Sequence, residues 1–133
     1  MLRRAIALLS VLAGLSSPAF ATEWVNCADS TGEASFDFLV GGADVMSIAA
    51  ITISVGEKVW ASDVAYGPGD PIVVGQAFED EESVQLDVMD DGVSTVVAQL
   101  RLFKAQEGES EFIYSGTLRI AGYGAWTVTC QGA

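Results

Sequence analysis

Apolar and polar residues alternate along most of the chain after Ala21, and turn-forming residues recur roughly every eight to twelve positions. Successive side chains of a β-strand point to opposite faces of the sheet, so this alternation predicts strands with one buried face. No stretch after Ala21 sustains the longer apolar period of an α-helix. The pattern therefore predicts one all-β domain of about eight or nine strands, either an antiparallel β-sandwich or, as the alternative, a small β-barrel.

Some local features are predicted from the same pattern. Residues 34–40 and 84–89 alternate most regularly and predict half-buried strands. The Asp-Asp-Gly run at 90–92 predicts a tight hairpin turn, because Asp-Gly pairs favour the turns that match strand twist. The Ser-Gly pair at 115–116 predicts a β-bulge within a strand. The two prolines and two glycines of residues 66–71 predict a loop.

The first residues have the composition of a secretory signal peptide. Arg3 and Arg4 precede an apolar run over residues 5–15, and Ala19-Phe20-Ala21 supplies small residues two positions apart. An apolar run of 11 residues is too short to cross a bilayer core, which takes roughly 20. We therefore predict a signal peptide over residues 1–21 and a single domain over residues 22–133. The mature protein is expected in the periplasm or secreted, without stable membrane insertion.

The charge of the mature chain favours some partners and disfavours others. Without residues 1–21 the chain keeps four basic residues and all 18 carboxylates, a net charge of −14. Such a charge repels nucleic acid and anionic lipid headgroups at long range. Four of the carboxylates are adjacent, at residues 79–82, and are expected to be solvated because they cannot be buried together. We predict no nucleic-acid partner and, among proteins, a basic partner.

The chain contains two cysteines, Cys27 and Cys130, near the two ends of the predicted domain. Two cysteines in an oxidising compartment most simply pair with each other. No CxxC motif and no histidine is present to make either one a reactive thiol. A disulfide also requires the two Cα atoms within about 7 Å, so the first and last strands are predicted to lie together.

Part of the chain resembles a C2-type β-sandwich. The resemblance covers residues 36–102 and rests on loops and strands in a matching order: Asp44 before a strand that ends at Val55-Gly56, then Lys58-Val59-Trp60, Asp70-Pro71 before Phe78, and the strand from Val84 to Asp90-Asp91. The resemblance implies an antiparallel sandwich.

The same resemblance implies a calcium-binding loop, for which Asp44, Asp90 and Asp91 are the candidate ligands. The family's loops carry two carboxylates two positions apart, but here Gly92 stands at the second position, and the next carboxylate is Glu107. Ca²⁺ takes six to eight oxygen ligands. The expectation is therefore weak Ca²⁺ binding at most, and no other cofactor.

The residue types present argue against catalysis. Without histidine, Ser-His-Asp and Cys-His catalysis and histidine-ligated metal sites are excluded. Paired carboxylates can hydrolyse glycosidic bonds, but among 18 carboxylates some pair always has a suitable separation. We predict that the protein is not an enzyme.

What remains is a binding function. Tyr66, Asp70 and Tyr123 lie in predicted loops and are the candidate contact residues, because loops on a rigid sheet often carry binding side chains. The leading hypothesis is an exported, non-catalytic binding or accessory domain. The alternatives are a small inhibitor of a secreted hydrolase such as lysozyme, a degenerate C2-like calcium or lipid module, and a carboxylate-dependent glycosidase.

Overall fold

The structure, a computed structural model, describes residues 22–41 and 46–132. The predicted signal peptide and Asp44 lie outside the described residues. The described part is all-β apart from one short 3₁₀ turn, η1 (Val64–Tyr66). Its strands are β1 (Glu23–Ala28), β2 (Ala34–Val40), β3 (Ile48–Val55), β4 (Lys58–Ala61), β5 (Asp70–Glu79), β6 (Ser83–Asp90), β7 (Val96–Ala105), β8 (Ile113–Ile120) and β9 (Gly124–Gln131).

These nine strands close into a barrel in chain order, and β9 pairs back to β1. Neighbouring strands are antiparallel except β4 and β5, which pair in parallel. Strict up-and-down alternation of nine strands would leave β1 and β9 parallel, so the one parallel pair is what allows antiparallel closure. The all-β prediction is confirmed, and the architecture is the predicted alternative, a barrel, rather than a sandwich.

Two short seams close this barrel. β4 and β5 share two register pairs, Trp60 with Asp70 and Ala61 with Pro71, and β1 and β9 share three. The other neighbouring strands pair over longer stretches. The nine strands form one continuous sheet, and its two shortest seams lie between β4 and β5 and between β9 and β1.

The disulfide lies at the β1–β9 seam. Cys27 and Cys130 are directly opposite each other in the ladder, with Cα atoms 4.0 Å apart, and they form a disulfide bond. Both are buried. The predicted pairing, and the predicted contact between first and last strands, are confirmed.

The barrel interior is packed with apolar side chains, because alternate residues of every strand point inward. No polar or charged residue is fully buried among those described. Side chains that are almost entirely inaccessible include Phe36, Phe38, Ile51, Ile53, Ile72, Leu86, Leu100, Leu102, Leu118 and Ile120.

No helix in the part of the chain that the structure describes is long and apolar enough to cross a membrane.

The predicted turn at residues 90–92 is present and joins the antiparallel neighbours β6 and β7, but the hairpin is not tight. β6 ends at Asp90 and β7 begins at Val96, so the loop has five residues. The Asp90 carboxylate accepts hydrogen bonds from the backbone N–H groups of Ser94 and Thr95, both at 2.8 Å. Val93 has a left-handed backbone, φ 54°. The side chain of Asp90 thus organises a longer loop than the Asp-Gly pair alone would form.

The predicted bulge at residues 115–116 is wrong. β8 runs without interruption, and its register with β7 is unbroken. Gly116 is required here by space, because a Cβ atom at this position would lie 1.8 Å from the carbonyl oxygen of Arg101 on β7. The glycine permits a close approach of two strands.

Candidate functional site

The structure separates the three predicted contact residues. Tyr66 lies on the outer surface of the barrel against Trp24 of β1, with ring centroids 5.5 Å apart. Asp70 and Tyr123 lie instead near the barrel end at which β4 begins and the β8–β9 turn is located.

At that end, Asp70 and Tyr123 make internal contacts. The Lys58 Nζ donates to a carboxylate oxygen of Asp70 at 2.5 Å, and this hydrogen bond raises the pKa of Lys58. The Tyr123 ring packs edge-to-face on Trp60, with centroids 5.2 Å apart, and Lys58 Nζ lies 5.3 Å from the Trp60 ring centroid. These four side chains hold the short β4–β5 seam and cover one end of the core. Asp70 and Tyr123 are thus exposed residues that also stabilise the fold.

Tyr66 belongs to a groove on the outside of strands β1–β3. Asp37 of β2 is the register partner of Asn26 on β1 and of Thr52 on β3, so the three outward side chains form a row across the sheet. Trp24 and Tyr66 form the aromatic wall beside this row. The groove has a volume of about 360 Å³.

The loop after β4 positions Tyr66. Asp63 accepts a hydrogen bond from the backbone N–H of Ala65 at 2.8 Å and so caps the 3₁₀ turn that carries Tyr66. The Ser62 hydroxyl accepts from the N–H of Ile51 at 2.8 Å, which ties the start of the loop to β3. The loop then reaches across the outer face to Trp24 on β1. Two local anchors therefore hold the aromatic wall.

Asp37 is the distinctive group of the groove. Its carboxylate is half-buried, and no described residue donates a hydrogen bond to it or forms an ion pair with it. Loss of water raises the pKa of Asp37 above the ordinary carboxyl value. Half-buried carboxylates normally have a donor or a cation beside them. Asp37 therefore has unused capacity to accept hydrogen bonds and to attract positive charge.

The four basic residues after residue 21 all lie elsewhere. Lys58 pairs with Asp70, as described above. Arg101 and Lys104 form ion pairs with Asp87 and Glu79, at 2.8 and 3.6 Å, and Arg119 donates to the Gln99 side chain at 3.2 Å. In the described part of the chain no cation is therefore placed to neutralise the carboxylate of Asp37.

The candidate calcium ligands are not assembled into a site by the described residues. Asp44 is outside them, and Asp91 is exposed in the β6–β7 loop. Asp90 uses both carboxylate oxygens within that loop, one toward two backbone N–H groups and the other toward the Ser94 hydroxyl at 2.7 Å. Within the residues that the structure describes, no group of three or more potential ligands is placed to hold a metal ion.

Replacing Asp90 with alanine is expected to lower the urea midpoint of unfolding at neutral pH. The hydrogen bonds from Thr95 and Ser94 lower the pKa of Asp90, so its stabilisation is present above the ordinary carboxyl pKa of 3.8. That stabilisation is lost as the pH falls through the lower folded-state pKa. The difference between wild type and variant should therefore disappear in strong acid.

The control for this experiment is Asp91→Ala in the same loop, which removes an equal charge and should leave the midpoint nearly unchanged. Melting both variants and the wild type with and without Ca²⁺ tests the calcium hypothesis at the same time. A calcium-dependent rise of the wild-type midpoint that Asp90→Ala abolishes would contradict a purely structural role of Asp90.

Most of the groove was missed from the sequence. Trp24 faces outward and is half-buried, next to the buried Val25, and alternation within this short strand does not indicate a groove. Asp37 lies between two buried phenylalanines, which indicates an outward side chain but not its neighbours. Asn26 and Thr52 join it only through the register of three strands. The loop position of Tyr66 was the one available signal.

Comparison of the chain with protein-family models, with curated proteins and with solved structures finds no match.

Proposed function

We propose that this chain is an exported, non-catalytic binding domain that takes a lysine or arginine side chain of a basic partner protein into the groove of Asp37. The observation that carries the proposal is the half-buried Asp37 carboxylate, which has no cation among the described residues. A partner cation would supply the missing charge and the missing donors. Export to the periplasm or beyond is part of the proposal, supported by the signal-peptide pattern and the disulfide.

The chemistry of the groove suits a basic side chain in two ways. A charge-assisted hydrogen bond to a carboxylate contributes about 1.5 to 3 kcal/mol. When two N–H groups of one arginine reach both carboxylate oxygens, the geometry also makes the contact selective for arginine. The aliphatic and cationic parts of the same side chain can lie on the exposed ring of Tyr66, where a cation–π contact adds about 0.5 to 1 kcal/mol. Asn26 and Thr52 supply further polar partners on either side of Asp37.

The overall charge supports the same class of partner. With 18 carboxylates and four basic residues after residue 21, the protein attracts a basic molecule over a distance and accelerates its association at low salt. The groove would then provide the specific contact. The absence of histidine from the sequence supports a non-catalytic role.

Replacing Asp37 with asparagine is expected to weaken binding of an arginine peptide about tenfold, because the isosteric amide removes the charge. The probe is the pentapeptide Gly-Gly-Arg-Gly-Gly, titrated into labelled protein and followed by NMR chemical shifts. The shifts of the wild type should concentrate at Trp24, Asn26, Asp37 and Tyr66. The same substitution should raise stability, since a raised folded-state pKa means that ionised Asp37 destabilises the fold at neutral pH.

Asp91→Asn is the matched control, because it changes the net charge equally at an exposed loop position. It should change the affinity by no more than about twofold, because it removes only a long-range attraction that salt screens. Equal losses in the two variants would reduce the proposal to unspecific attraction. Shifts at the same residues with Gly-Gly-Gln-Gly-Gly or with a neutral trisaccharide would show a different ligand class and contradict it.

A secreted hydrolase inhibitor is the second candidate, and lysozyme is its example. The acidic surface and a groove suited to arginine favour a strongly basic enzyme as the partner. In the same series, c-type lysozyme replaces the peptide and the clearing of cell walls is measured. Undiminished clearing at saturating wild-type protein would remove this candidate.

A degenerate C2-like calcium or lipid module is the third candidate, and the calcium melts of Asp90 and Asp91 variants bear on it.

A further inference from the structure

Four large apolar side chains lie exposed near the barrel end opposite the Lys58–Asp70 pair. The exposed fractions are 69% for Phe103, 55% for Ile113, 49% for Phe78 and 45% for Phe112. These residues, named here the apolar patch, lie at the end of β5, at the end of β7 and at the beginning of β8. Single exposed apolar residues are ordinary, but several neighbouring ones mark an interaction surface.

Strand register brings the apolar patch together. Phe103 pairs with Ser115 and Ala105 pairs with Ile113, so Phe103 and Ile113 are diagonal neighbours on adjacent strands. Phe112 precedes Ile113, and its ring packs against the ring of Tyr114 at 5.8 Å.

Phe78 lies on the far side of β6. It pairs with Gln85, while Phe103 pairs with Ser83 on the same strand. Only two polar side chains of β6 therefore separate Phe78 from the rest of the apolar patch.

Acidic loops border the apolar patch on two sides. Two basic residues of the described chain lie beside the patch, and both are paired: Lys104 with Glu79 at 3.6 Å, and Arg101 with Asp87 at 2.8 Å. The β5–β6 turn and the β7–β8 loop carry the exposed carboxylates Asp80, Glu81, Glu82, Glu107, Glu109 and Glu111. The surface is therefore apolar in the middle and strongly negative at its rim.

Two hollows lie within this surface. One, of about 470 Å³, is lined by Glu81, Lys104 and Phe112, and the other, of about 310 Å³, by Glu111 and Ile113. Ala105 and Gln106 line both. The smaller hollow has an apolar wall, a carboxylate and no basic residue in its lining, so it suits a side chain that is apolar along its stem and cationic at its tip, whereas the larger hollow also contains Lys104.

We propose that the apolar patch and its acidic rim bind a cationic amphipathic peptide segment. The apolar patch requires apolar side chains from the partner, and the rim requires positive charge beside them. A helix with apolar residues at i, i+3, i+4 and i+7 and lysines between them presents both. A second copy of this chain and an anionic lipid surface both carry the wrong charge. This surface is separate from the groove of Asp37, which lies on β1–β3.

The probe is a leucine–lysine peptide of about 18 residues, long enough to form an amphipathic helix. Its affinity is measured by calorimetry at about 20 and about 150 mM salt. Glu107→Gln/Glu109→Gln/Glu111→Gln is expected to weaken binding about tenfold at the lower salt. Glu23→Gln/Glu33→Gln/Glu57→Gln removes the same charge at exposed positions elsewhere and should weaken it no more than about twofold.

Phe103→Ser tests the apolar contribution, with Val64→Ser as its control, because Val64 is an exposed apolar residue far from the apolar patch. Phe103→Ser is expected to weaken binding about tenfold at both salt concentrations, as a central apolar anchor does. Phe103→Ser is also measured in the Asp37→Asn background, where it should still weaken binding about tenfold, so failure of the groove proposal and failure of this one are distinguishable.

Equal losses in the two triple variants would overturn the proposal, because attraction would then be unspecific. Wild-type protein that self-associates in sedimentation, and becomes monomeric on Phe103→Ser, would overturn it in favour of a contact between copies.

Discussion

Replacing both Cys27 and Cys130 with alanine is expected to lower the free energy of unfolding by about 3 to 5 kcal/mol. The bond links residues 103 positions apart, so its loss frees almost the whole domain in the unfolded state. For a loop of about 100 residues the chain-entropy argument gives about 4.7 kcal/mol. A small domain has about 5 to 15 kcal/mol in total, so this one change removes a large part of its stability.

The position of the bond adds to its effect. It lies in the middle of the three-pair β1–β9 seam, which has few hydrogen bonds to hold it closed. Urea denaturation of wild type, of wild type with reductant and of the double alanine variant measures the effect. The reduced wild type keeps both side chains and serves as the control for cavity formation. Free thiols in the native protein, or equal midpoints in all three samples, would contradict the expectation.

Replacing Gly116 with alanine is expected to destabilise the barrel by about 3 kcal/mol or more. The added methyl group would lie 1.8 Å from the Arg101 carbonyl oxygen and 2.9 Å from the Leu102 Cα. Both atoms belong to the backbone of β7, so no side chain can move aside. β7 and β8 would have to separate although β8 is paired with β7 over its full length.

Gly92→Ala is the matched control for Gly116→Ala. A methyl group there would meet only an Asp90 carboxylate oxygen, at 3.4 Å, which is ordinary contact. Its expected effect is within about 0.5 kcal/mol, and urea midpoints of both variants provide the comparison. If Gly116→Ala does not fold, far-ultraviolet circular dichroism records that loss. A Gly116→Ala variant as stable as Gly92→Ala would contradict the close strand approach.

Alternation predicted the strands well where one face is buried along its whole length. The segment at 34–40 matches β2 in both bounds, because Phe36 and Phe38 alternate with outward residues. The cysteine pair also predicted the contact of β1 with β9. The first prediction depends only on residues within one strand, and the second depends on a covalent bond between two cysteines. The sequence contains both kinds of information.

Barrel closure was not determined by local patterns. It depends on the two-pair seam between β4 and β5, where Asp70 and Pro71 enter a strand from a loop rich in proline and glycine. A sandwich with the same strands would differ only at the seams, so alternation cannot separate the two architectures. The candidate site, like barrel closure, depends on how separate strands pair. Asp37, Asn26 and Thr52 meet through register across three strands, and register between strands is not readable from any one of them.

The position of the disulfide also has a mechanical consequence. Cys27 and Cys130 lie opposite each other on neighbouring strands, close to the two ends of the described chain. Tension applied at the two ends would pass from one sulfur to the other and bypass every residue between them. The pull would act on the short segments outside the two cysteines, including the part of β1 before Cys27, while the strands between the two cysteines would keep their pairing.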